Sequence, residues 1–103
     1  MDELPGEMVE LHAETQETRY QFLKLELATC FNAINFANTE LELGNREMAA
    51  TEIHAAEKGY ATIRRFLPRL DSEERRNEIE AALPRLREVV AALRNKLGSS
   101  HES

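Results

Sequence analysis

Three histidines, His12, His54 and His101, and one cysteine, Cys30, are the side chains whose types could hold a metal ion or carry a phosphoryl group. A carboxylate-bridged metal site in a helical bundle needs Glu three residues before His on each of two facing helices. Val9, Thr51 and Gly98 stand at those positions, so the ligand set is missing and no metal or other cofactor is expected. A serine nucleophile is not expected either. Ser72 stands where a helix would be capped, and Ser99, Ser100 and Ser103 fall in the polar last residues. Neither a phosphate-cradling glycine loop nor a Cys-x-x-Cys pair occurs, and no enzymatic activity is predicted. Cys30 is the sole cysteine, which leaves no intrachain disulfide, and its apolar neighbours suit a small core hydrophobe.

Charge offers a second kind of chemistry. Arg64, Arg65, Arg69, Arg75 and Arg76 crowd one short stretch, and planar guanidinium groups recognise carboxylates and phosphates. The net charge of −6 and pI of about 5.1, with Phe66 the one aromatic residue in the cluster, argue against nucleic acid as the ligand. An acidic protein partner, or the acidic helix of a neighbouring chain, is the expected counterpart. The sequence supplies such a helix itself: residues 1–57 carry 12 acids and 3 bases, whereas residues 58–97 carry 10 bases and 6 acids. Halves of opposite sign attract when packed side by side, within one chain or between two.

The elements that must position these groups are helices. Ala, Glu, Leu, Arg and Lys account for 56 of 103 residues, while 4 Gly, 3 Pro, 3 Val and 4 Ile are too few for many short strands and turns. The expected fold is all-α, a three-helix antiparallel bundle with a long first helix, in a single domain over 1–97 followed by a flexible polar tail over 98–103. The first residues are acidic and lack the apolar run of a secretory signal. The most apolar stretch, residues 20–37, is broken by Gln21, Lys24, Glu26, Asn32 and Asn35 and cannot serve as a membrane span. A soluble cytoplasmic protein is therefore expected.

Pro5 suits a first helical turn and Gly44 the left-handed position just past a helix end, and nothing between them breaks a helix. Asn45 is placed to cap a second helix, so the link is only Gly44-Asn45 and forces an antiparallel hairpin. In that second helix Ala49, Ile53, Ala56, Tyr60, Ile63, Leu67 and Leu70 form one seam by alternating steps of four and three. Pro68 predicts an end or kink near the close of the seam. Asp71 with Glu74, or Ser72 itself, starts a third helix with the seam Ile79, Leu83, Leu86, Val90, Leu93 and Leu97. That phase runs unbroken across Pro84, which favours a kinked helix over an end at Ala82.

The first helix has two apolar faces. Leu23, Leu27, Cys30, Ile34, Ala37 and Leu41, flanked by Tyr20 and Phe31, should meet the other two helices. A second stripe, Leu4, Met8, Leu11, Thr15, Thr18, Phe22, Leu25, Thr29, Phe36 and Leu43, lies nearly opposite. Neighbours in a three-helix bundle occupy adjacent sides of a helix, so one core cannot cover both. We expect a homodimer through this stripe, with Leu11, Phe22, Leu25 and Phe36 as interface residues. The alternatives are that a kinked third helix folds across it, or that the first helix breaks near Gln16 and doubles back. The threonines weaken the seam and would set register.

Two resemblances bear on function. The segment His54-Ala55-Ala56-Glu57-Lys58-Gly59 is similar to the site of histidine phosphotransfer domains, helical bundles in which an exposed His is followed by Lys at +3 and Gly at +4. Here Lys58 is at +4 and Gly59 at +5, a slip that turns the lysine by about 100° around the helix. The resemblance implies a signalling bundle with phosphate on the His54 imidazole and Lys58 offsetting its charge, which is the alternative to the leading expectation of a protein-protein interaction or scaffold module. The hairpin over residues 33–56 resembles a single tetratricopeptide unit. Ala37 takes its small position, Gly44 its turn, and Ala49, Ile53 and Ala56 its second helix. Ala33 and Glu40 depart from the large aromatic positions of that family, and the first helix is longer than the repeat. The likeness implies a helical interaction hairpin and identifies no ligand residues.

Overall fold

A computed structural model describes the backbone of residues 4–102 and the side chains of residues 15–99. The expected all-α bundle is what forms: α1 (Leu4–Glu42), α2 (Arg46–Phe66), a single 3-10 turn (Leu67–Arg69), α3 (Glu73–Glu80) and α4 (Leu83–Glu102). Its third helix is α3 and α4 together. No strand occurs among the described residues.

α1 is continuous across Gln16 and spans roughly 58 Å at 1.5 Å per residue. It ends in a Schellman motif, in which the Asn45 N–H donates to the Glu40 carbonyl at 2.7 Å and the Gly44 N–H to the Leu41 carbonyl at 3.1 Å. Gly44 has φ +82°, and a Cβ there would meet nothing within 4 Å, so backbone conformation alone demands the glycine. Asn45 begins α2 but its side chain does not cap it. The amide instead donates to Glu40 Oε2 at 2.7 Å, replacing the apolar contact that usually closes this motif.

The three seams meet in one core. Leu23, Cys30, Ala33, Ile34 and Ala37 of α1 are buried against Ala49, Ile53, Ala56 and Ile63 of α2, with Leu67, Leu70, Ile79, Leu83, Leu86, Val90 and Leu93 closing the third side. Each fully buried Ile or Leu, such as Leu23, Ile53, Ile63, Leu70, Ile79 and Leu86, contributes about 1.5–3 kcal/mol. Gly59 lets α1 and α2 approach closely, since a Cβ there would lie 2.3 Å from Cys30 Sγ.

The third helix is divided rather than kinked. α3 stops at Glu80, Ala81 and Ala82 form a turn, and α4 restarts at Leu83. Pro84 has no N–H to offer Glu80, and as the second residue of α4 its missing donor is one that would be orphaned anyway. The Ala82 N–H turns back to the Ile79 carbonyl at 3.1 Å, and the seam keeps its phase across the break. Ser72 caps α3 by accepting from the Arg75 N–H at 3.2 Å. α4 carries the backbone through Gly98 to Glu102, so residues 98–102 of the expected tail continue this helix.

The molecule is elongated, 70 × 21 × 16 Å. At one end Gln16 fastens α1 to the corner between α2 and α3, donating to the Arg69 carbonyl at 3.1 Å and accepting from the Asp71 N–H at 2.8 Å. α1 continues about three turns beyond that corner. At the other end Arg46 donates to the Leu97 carbonyl at 3.0 Å and Lys96 to Asn38 Oδ1 at 3.1 Å, tying α4 to the hairpin.

Candidate interaction surface

Neither alternative cover for the second face of α1 is present: α1 does not fold back, and α3 and α4 pack on the side of Leu23 and Ile34. Phe22 is 41% exposed, Leu25 67%, Phe36 61% and Leu43 73%. Met48 on α2 is exposed as well. Leu4, Met8 and Leu11 lie outside the residues whose side chains are described. Thr15, Thr18 and Thr29 are exposed along the stripe, as its spacing requires.

The arginine cluster separates into two groups with different duties. Arg75 is committed within the chain, 2.8 Å from Glu17 and with its guanidinium carbon 4.3 Å from the Tyr20 ring centre. Tyr20 in turn donates its hydroxyl to Glu78. Arg76 donates to the carbonyls of Leu70 and Asp71 and so finishes the corner. Arg64, Arg65 and Arg69 remain exposed. Arg65 and Arg69 lie over the Phe66 ring, 5.5 and 5.0 Å from its centre, while Arg64 turns to Tyr60 at 6.0 Å. Arg64 also lines a groove of about 340 Å³ with Leu67, Pro68, Arg76, Glu80 and Leu83.

Phe66 joins the two predicted sites. Its ring meets Phe22 edge to face with centroids 6.2 Å apart, so the apolar strip of α1 and the guanidiniums of Arg65 and Arg69 form one surface. Sequence spacing could not foresee this, because Phe22 and Phe66 stand 44 residues apart and nothing in either local pattern names the other.

His54 is exposed on α2, with Nδ1 3.9 Å from Glu57 Oε1. Glu57 is bound by Arg94 through both oxygens, at 2.6 and 3.2 Å, which holds its carboxyl below the usual glutamate range. A carboxylate beside the imidazole opposes an incoming phosphoryl group electrostatically. Gly59, the glycine of that resemblance, is buried beneath Cys30. Burial pushes the Cys30 thiol up to about 11, with the Glu26 charge adding to the effect, and its Sγ faces the Ala56 carbonyl at 3.6 Å. Such a thiol packs as an apolar group and is a poor nucleophile.

Among the described residues no cluster of three or more His, Cys, Asp or Glu could hold a metal ion, and no helix is long and apolar enough to cross a membrane. No family model, curated protein or solved structure matches the chain.

Proposed function

We propose that the protein is a helical protein-protein interaction module that self-associates, as a homodimer, through the outer face of α1. The observation that carries this is the row Phe22, Leu25 and Phe36, exposed together on an uninterrupted helix, with Leu43 exposed just past its end. Apolar rows of this length on a small domain mark association surfaces, because leaving them in water forfeits about 25 cal/mol for each Å² that a partner would cover. A second copy carries the same row and is the simplest self-complementary cover. Arg64, Arg65 and Arg69 at its edge suit an acidic protein surface, while Arg75 and Arg76 serve the fold. The proposed setting is the cytoplasm, where a buried unpaired thiol such as Cys30 stays reduced.

Light scattering of the wild type beside Phe22→Glu with Leu25→Glu tests the proposal. A dimer that becomes a folded monomer in the variant supports it, and a variant that keeps the dimeric mass refutes it.

A further inference from the structure

We infer that the second copy lies antiparallel on α1, about a two-fold axis at Thr29, with Arg65 and Arg69 of each chain against Glu47 of the other. The inference rests on the self-association proposed above and adds the direction and the polar contacts. Three observations lead to it.

The exposed stripe has heptad spacing, the period at which two helices keep one seam in contact: Thr15, Phe22, Thr29, Phe36 and Leu43 recur every seven residues, with Thr18, Leu25, Asn32 and Thr39 at the intervening positions. Thr29 is the midpoint of these five positions, with Phe22 and Phe36 each seven residues away. A two-fold axis there sets each Phe22 on the partner's Phe36 and leaves the small Thr29 facing itself.

The ends of this stripe carry opposite charge on the same flank. Glu47 and Arg65 are 18 residues, five full turns, apart on α2 and share one azimuth, as do Met48 and Phe66. Since Phe66 touches Phe22, the α2 flank beside the stripe reads Phe66, Arg65 and Arg69 at one end and Met48 and Glu47 at the other. Glu47, Arg65 and Arg69 are all exposed.

Direction then follows from electrostatics. A two-fold axis perpendicular to α1 keeps each flank on its own side and reverses the order along it, bringing the arginine end of one chain to the acidic end of the other. A two-fold axis parallel to α1 would instead carry the flank to the far side of the seam, where neither charged end meets its complement. Arg69 sits level with Gln16 and Arg19, both of which donate to its carbonyl, and the axis at Thr29 maps residues 16–19 onto residues 39–42 of the second copy.

Two charge-reversed full-length chains test this, one with Arg65→Glu and Arg69→Glu, the other with Glu47→Lys. Circular dichroism and a thermal melt first confirm that each is folded; any variant that is not is replaced by its Gln or Met counterpart. Sedimentation is then measured for each alone and for the equimolar mixture. Each alone should dissociate at concentrations where the wild type is dimeric, a weakening of roughly tenfold or more, and the mixture should regain the dimeric mass because every facing pair is again opposite in sign. Variants that stay dimeric alone, or a mixture that stays monomeric beside a dimeric wild type, overturn the antiparallel pairing and leave self-association standing. A monomeric wild type overturns both.

Discussion

Phe22 of α1 and Phe66 at the end of α2 meet edge to face, with ring centroids 6.2 Å apart and planes at 89°. This contact makes one surface of two features that lie far apart in sequence. Phe22 belongs to the open apolar row, and Phe66 is the platform over which Arg65 and Arg69 lie. An aromatic pair of this geometry adds about 0.5–1.5 kcal/mol beyond its burial, so it also fixes where the arginine corner sits beside α1.

Gly59→Ala should destabilise the fold although helix propensity alone favours alanine by about 1 kcal/mol. The added methyl would stand 2.3 Å from Cys30 Sγ, forcing the thiol from its place at the Ala56 carbonyl. We expect a net loss of about 1–2 kcal/mol in urea unfolding, in the range for overpacked cores. Cys30→Ala in the same chain should restore much of it, and two losses that simply add would disprove the close contact.

Stability should fall in acid partly through Glu57. Arg94 holds its folded carboxyl below the unfolded value, so the pair stabilises the fold above the ordinary glutamate range and that contribution is lost as pH drops through the folded value. Both side chains are over a third exposed, which limits the effect to about 0.5 kcal/mol. Unfolding of the wild type and Arg94→Met between neutral pH and pH 3 should converge as Glu57 protonates. A difference unchanged with pH would show that the pair contributes nothing through charge.

Disulfide trapping reads the direction of the second copy. In a Cys30→Ala background, Thr29→Cys should form an intermolecular disulfide on mild oxidation, since the axis passes through that position. Thr18→Cys should not, because its equivalent in an antiparallel pair is about 33 Å away along the helices. Equal crosslinking of both would indicate parallel chains.

The core was legible because its signal is local. Steps of three and four residues placed Ile53, Ile63, Leu86 and Leu93 on buried seams, and each is buried. Ser72 and Gly44 likewise stand where their intrinsic preferences put them. What escaped depends on groups from another element or on competition for one side chain. Asn45 had the composition of a cap, yet Glu40 lies within reach and takes its amide. Pro84 marked a disturbance, but the helix parts two residues earlier, where the carbonyls facing the missing donor can be satisfied by a turn. Gly59 stands one place off the glycine of the phosphotransfer pattern, and its close approach to Cys30 of α1 is invisible in its own segment. Of the five clustered arginines, Arg75 and Arg76 are taken up by Glu17, Tyr20 and the corner carbonyls, partners no local pattern could name.

Self-association through the open face of α1 is tested most directly by sedimentation equilibrium of the wild type and Phe36→Glu over a wide concentration range. Phe36 is exposed, so its replacement should leave the fold intact by circular dichroism. The wild type should approach twice the 11.8 kDa chain mass with rising concentration, and Phe36→Glu should stay at the chain mass throughout. A wild type that remains at 11.8 kDa at every concentration, or a Phe36→Glu protein that dimerises equally well, would contradict the assignment of that face.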